Sequence, residues 1–153
     1  MNLQPVIDVI EKLLTLHERM LELAKKKTDI VKSGDVKELQ SLTKEELTYI
    51  KVIDQLEKER QALTNNATIS QLVEQASETE ATKLQHLKEQ LTAVIFNIKE
   101  QNNLNNELLE QSLQFVQLSI NAFNPEPTSV TYEKTATGKK PAAPTRSMFD
   151  SKA

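Results

Sequence analysis

His17 and His86 are the residues of this chain best suited to proton transfer or metal ligation, and neither keeps the company such chemistry needs. They fall in different apolar-periodic stretches, with no neighbouring Cys and no H-E-x-x-H spacing of a helical zinc site. Each is expected to pack or to meet water. Gly34 and Gly138 stand far apart, so no glycine-rich phosphate loop is written here. Lys25, Lys26 and Lys27 fall near a predicted helix C-terminus, where the dipole favours cations by about 0.3–1 kcal/mol each, and a solvated helix end accounts for them. Arg60 stands at a seam position, with its alkyl stem expected on the core and its head paired to Glu57 or to a carboxylate across the bundle. These residues assemble no catalytic, cofactor or metal site, and the chain reads as a non-enzyme.

What remains is the chemistry of helical faces. From Asn102 to Phe123 the apolar residues keep helical spacing while charge disappears after Glu110, until Pro125 and Pro127 stop the helix. Leu108, Leu109, Ser112, Leu113, Phe115, Val116, Ile120 and Phe123 make a wide stripe of the i, i+3/i+4, i+7 kind, opposed by Asn, Gln and Ser. Such a stripe needs a cover. A partner helix would supply it, as would a second copy of the chain, a bend in the helix itself, or the segment Ile69 to Ala76. Just before it, Asn102, Asn103, Asn105 and Asn106 surround Leu104, and Asn102 or Asn105 must face the seam defined by Ile98 and Leu109. Asparagine in a helical seam costs stability and commonly fixes register or partner number; alternatively the helix leaves its core there. Both readings put a transition near residue 102.

The elements that must position these residues are helices. Pro5 suits a first helical turn, and Val6, Val9/Ile10, Leu13, Leu16/His17, Met20, Leu23/Ala24 and Ile30/Val31 follow at nearly heptad spacing, with Ile7, Leu14 and Leu21 widening the seam toward a second neighbour. Gly34 is the expected left-handed cap, and Asp35 with Glu38 the capping box of the next helix. That helix runs through Leu39, Leu42, Leu47, Ile50, Ile53, Leu56 and Leu63 to Asn65-Asn66, with Thr43 and Glu46 as a further capping signal for a bend or a short opening helix. Ile69 to Ala76 suits a short helix. Ser77 and Glu80 then cap a third long helix, carrying Leu84, Leu87, Leu91, Val94/Ile95, Ile98 and Leu108 onward to Phe123.

Composition agrees with this reading. Hydrophobic residues at 38%, charged at 27%, aromatic at only 4%, and two glycines favour long helices over a sheet. The net charge of −3 argues against a nucleic-acid partner, which calls for Lys and Arg gathered on one face. Without cysteine there is no disulfide or thiolate site, which suits a reducing cytoplasm. Asp8, Glu11 and Lys12 interrupt the first apolar residues, unlike a signal peptide. The apolar run Leu91 to Ile98 is far shorter than the roughly 20 residues of a membrane span, so a soluble protein with no membrane insertion is expected.

The fold class expected is all-α: an elongated antiparallel three-helix bundle or coiled coil with a long third helix and a disordered C-terminal tail. The helical domain spans 1–123, with helices at about 5–32, 36–64 and 78–123, and the Pro-, Thr- and Lys-rich stretch 124–153 is the flexible tail. At 1.5 Å per residue the first two helices reach on the order of 40 Å and the third roughly 65 Å. Short connections make neighbours antiparallel, so the third helix is expected to run beside the first and to overshoot the Ser33-Gly34 turn.

The order of these motifs resembles the FlgN-type flagellar type III export chaperones. The resemblance rests on L-x-x-L-L-x-x-H-E-x-M-L-x-L-A-x-x-K read from Ile10 to Lys27 with Ile in its first place, on S-G-D at Ser33 to Asp35 followed by Leu39 and Leu42, and on L-E-x-x-R at Leu56 to Arg60. The third helix adds N-x-x-N-x-x-L-L-x-x-S-L-x-F-V from Asn102 to Val116, and the tail adds Tyr132, Gly138 and F-D-S-K-A from Phe149 to Ala153. The resemblance implies a cytoplasmic helical chaperone that binds the hook-filament junction proteins FlgK and FlgL, prevents their premature assembly, and delivers them to the export gate protein FlhA. It implies client contacts on the stripe, at Leu108, Leu109, Leu113, Phe115, Val116, Ile120 and Phe123, and puts Tyr132 forward as a tail anchor at the gate. Pro125, Pro127, Pro141 and Pro144 depart from the family's amphipathic tail by opposing a continuous helix. The competing reading is a coiled-coil homodimeric scaffold or adaptor that buries the stripe against its own copy.

Overall fold

The computed structural model describes residues 2–123, and its elements are α1 (Gln4–Ser33), α2 (Val36–Thr64), α3 (Ile69–Gln75) and α4 (Glu78–Phe123). The described residues form an all-α fold. The stretch 124–153, with Tyr132 in it, lies outside them.

The helix ends follow from local chemistry. Pro5 occupies the first turn of α1, where its missing N–H breaks no helical bond. Gly34 closes that helix in the left-handed region at φ 75°, its N–H reaching the carbonyls of Ile30 and Val31. Asp35 accepts the Glu38 N–H at 3.1 Å, so the expected box at the start of α2 is made in one direction. Asn65 and Asn66 end α2 at φ 51° and 66°, a region that Asn tolerates better than most side-chain-bearing residues. Reciprocal boxes open α3, between Thr68 and Gln71, and α4, between Ser77 and Glu80.

The bend or short opening helix expected from Thr43 and Glu46 is not formed. α2 is continuous; the Thr43 hydroxyl turns back onto the Leu39 carbonyl at 2.8 Å, and Glu46 reaches Lys27 of α1 at 3.3 Å. A Thr that can bond the carbonyl four residues back sits in a helix interior without acting as a cap. The same ion pair corrects the reading of the lysine run, because Lys25 and Lys26 are exposed while Lys27 is held between helices.

α1 is the centre of the packing. Its N-terminal half contributes Val6, Ile7, Ile10 and Leu14, and the N-cap residue before it Leu3, to a cluster completed by Leu72 of α3 and by Leu84, Leu87 and Val94 of α4. Its C-terminal half places Leu23 and Ile30 against Leu42 of α2, with Met20, Leu39 and Tyr49 packed around them. Lys83 of α4 pairs with Glu11 at 2.8 Å, and Asn105 reaches the Ala24 carbonyl at 2.8 Å, so α4 runs parallel to α1. The Lys27–Glu46 pair and the Ile30–Leu42 packing give α2 the opposite direction.

α2 is less covered than its periodicity suggests. Leu42 and Thr64 are its buried residues, whereas Leu47, Ile50 and Leu63 of the expected seam are exposed. Periodicity records which side chains share a face, and α1 covers only one flank of that face.

Candidate partner-binding site

The chain divides into two compact units, residues 1–109 and residues 110–153. Within the first, the residues singled out for chemistry have structural duties. His17 is half-buried, its Nδ1 donating to the Leu13 carbonyl at 2.6 Å. His86 is exposed beside Thr82 and Lys83 at the start of α4. Arg60 pairs with Glu57 through both Nε, at 2.9 Å, and a second guanidinium nitrogen, while Nη1 donates to the Ala67 carbonyl at 3.0 Å. This ties the end of α2 to the turn before α3. The guanidinium beside Glu57 holds its carboxyl below the ordinary carboxylate range, against the opposing pull of partial burial. No group of three or more His, Cys, Asp or Glu among the described residues is arranged to hold a metal ion.

The Asn cluster resolves into one inward residue. Asn105 is 1% exposed, while Asn102, Asn103 and Asn106 are exposed. Its Nδ2 donates to the Ala24 carbonyl at 2.8 Å, and its Oδ1 accepts from the Thr28 hydroxyl, which in turn accepts from Gln101 Nε2 at 2.6 Å. α1 and α4 are thus joined by a directional polar chain. No buried side-chain nitrogen or oxygen among the described residues lacks a partner. A displaced register of α4 on α1 leaves buried donors and acceptors unpaired, at about 1–3 kcal/mol each.

In the second unit, the end of α4 has open apolar side chains. Leu113 is 55% exposed, Val116 52%, Ile120 54%, Phe115 70% and Leu118 68%. Leu108 and Leu109, which end the first unit, are half-buried. Phe123 is the last helical residue, and its side chain lies outside the described part. α4 is one continuous helix from Glu78 to Phe123, and α3 commits Leu72 to the cluster with Leu84 and Leu87.

Leu118 is the residue that the single-stripe reading overlooked, and its spacing gives it away. Leu104, Leu108, Gln111, Phe115, Leu118 and Ala122 recur at alternating intervals of four and three, one heptad seam. Leu109, Leu113, Val116 and Ile120 form a different face. The intervening polar arc carries Gln114, Gln117 and Asn121, with Gln117 and Asn121 joined by a 3.5 Å hydrogen bond. α4 has no Lys or Arg after Lys99 and no basic residue in its last turn, whereas Glu100, Glu107 and Glu110 are present.

A helical protein with two filled clusters about α1 and open apolar side chains at the end of its last helix has the make-up of an α-helical interaction protein. The family model described as FlgN protein matches residues 1–140. The chain belongs to the FlgN family, a family of flagellar export chaperones. A protein of Bacillus subtilis (strain 168), described as uncharacterized protein YvyG, is 32% identical over 160 aligned positions that span the whole of both chains. No solved structure matches the chain. No helix among the described residues is long and apolar enough to cross a membrane.

Proposed function

We propose that this protein is a cytoplasmic export chaperone that holds the hook-filament junction proteins FlgK and FlgL before assembly and hands them to the export gate protein FlhA. The reading is carried by the open apolar side chains at the end of α4, taken together with membership of the FlgN family. Leu108, Leu109, Leu113, Phe115, Val116, Ile120 and Phe123 are the proposed client contacts, and Tyr132 the proposed tail contact with the gate. Terminal segments of unassembled filament proteins expose apolar helical faces that aggregate or pair too early unless covered. A preformed helix of complementary chemistry covers them through coupled folding and binding. Each fully buried Leu, Val, Ile or Phe side chain contributes about 1.5–3 kcal/mol, offset in part by ordering of the client.

Amide hydrogen exchange with and without purified FlgK or FlgL tests the proposal. New protection between Leu108 and Phe123 is expected, and protection confined to α1 and α2 would overturn it. Light scattering on the free chain tests the homodimeric scaffold: a stable dimer that FlgK and FlgL leave intact, and that Leu113→Asp with Val116→Asp breaks, would assign the stripe to a second copy.

A further inference from the structure

The end of α4 is apolar around more of its circumference than one neighbouring helix covers. At 3.6 residues per turn, the face of Leu113, Val116 and Ile120 and the face of Phe115, Leu118 and Ala122 are centred roughly 160° apart. Ser112 and Ser119 lie on the narrow arc between the two faces, and Gln114, Gln117 and Asn121 on the wide one. The large apolar side chains of both faces are at least half exposed. An amphipathic helix docks through a stripe on the order of 100° wide, so a partner helix seated on either face leaves the other in water.

We propose that the end of α4 takes one partner chain through two helical segments at once, one on each face, with Lys or Arg along the segments' polar edges. This deepens the chaperone reading and rests on it. Charge selects the occupant. Glu110 flanks the first face and Glu107 the second, with no cation in α4 after Lys99 and none in its last turn, where the helix dipole also presents negative charge. A basic-edged partner finds complementary groups on both flanks. The same stretch of α4 from a second copy brings only Asn, Gln, Ser and Glu at its polar positions, so no cross-seam ion pair fixes the register of a pair of such helices. The chain's own tail offers Val130, Tyr132 and Ala136 in the run between Pro127 and Pro141, too few apolar residues to fill a face of this length. A single client chain with two amphipathic helices joined by a turn meets both requirements.

Titration calorimetry of the full-length chain with purified FlgK or FlgL tests this, using Leu113→Ser/Val116→Ser for the first face and Phe115→Ser/Leu118→Ser for the second. All four side chains are exposed, and circular dichroism confirms that each variant keeps its helix content. Each pair is expected to weaken binding at least tenfold. Glu107→Gln/Glu110→Gln is expected to weaken it two- to fivefold and to flatten its salt dependence. If the first-face variant loses binding and the second-face variant keeps wild-type affinity, the two-segment inference falls and the chaperone reading stands. If neither variant weakens binding, the chaperone reading falls with it. A second-face variant that turns a dimer into a monomer in light scattering while binding FlgK normally assigns that face to a second copy. A gain in affinity of tenfold or more on deleting residues 124–153, with the second face dispensable for binding, assigns it to the tail. Either result overturns the proposal.

Discussion

Leu84, Leu87 and Val94 near the start of α4 and Leu113, Val116 and Ile120 near its end obey the same helical spacing, yet the first set is buried and the second open. The early set meets Ile7, Ile10 and Leu14 of α1 and Leu72 of α3. Apolar periodicity therefore says that a face wants cover, and only the rest of the chain says whether cover is supplied. The polar composition around the two sets differs as well. Lys83 and Lys88 anchor the early stretch to Glu11 and Ser70, whereas the late stretch has neutral amides and no cation.

The contrast breaks most visibly in the core. Leu84 is 0% exposed, and Leu84→Ala is expected to lower unfolding free energy by about 2–5 kcal/mol in urea titrations. Leu118→Ala, at a side chain 68% exposed, is expected to change it by less than about 0.5 kcal/mol. Equal losses at the two sites would mean that the late stretch is covered after all.

Next in size is the Asn105 junction. Asn105→Ala removes one donor to the Ala24 carbonyl and one of the two acceptors within reach of the Thr28 hydroxyl, the other being that same carbonyl at 3.2 Å, at an expected cost of about 1–3 kcal/mol. In a double-mutant cycle with Thr28→Val, a coupling of about 0.5–3 kcal/mol is expected. Strict additivity would show that the two side chains act independently.

Loss of the Asp35 cap in Asp35→Ala is expected to cost about 1 kcal/mol, measured by thermal unfolding. The smallest effect is electrostatic. Because Arg60 lowers the Glu57 pKa in the folded chain, the pair's contribution is fully present above the ordinary Glu value of about 4.3. It is lost as pH falls through the lowered folded value. With the Glu57 side chain 40% exposed, solvent screening reduces this to roughly a few tenths of a kcal/mol. Glu57→Gln should flatten that part of the acid limb, and an unchanged acid limb would count against the pair.

What could be read from residue order was the local chemistry. Gly34, Asp35, Asn65 and Ser77 mark helix ends because each acts on backbone groups within a few residues. The inward Asn was also legible, since Asn102 or Asn105 had to meet the seam; choosing between them required the positions of Thr28 and Ala24, more than 70 residues away. The exposure of Leu47 and Ile50 was illegible for the same reason, because it depends on how far α1 extends across α2. Thr43 misled because a Thr-x-x-Glu pattern is chemically equal to a cap until the hydroxyl finds a carbonyl behind it. Leu118 was missed because a broad apolar arc was read as one face.

The junction of Thr28, Gln101 and Asn105 also bears on how the molecule folds. Its hydrogen bonds join residues separated by 73, 77 and 81 positions, while α1 and α2 meet across the short turn at Gly34. Closing the long loop costs more chain entropy than closing the turn. The α1–α2 hairpin is therefore expected to form first and α4 to dock onto it afterwards. A newly made chain would then pass through a stage in which α4, the helix proposed to hold the client, is not yet anchored, so that proposed role would mature late, at the step that seats Asn105.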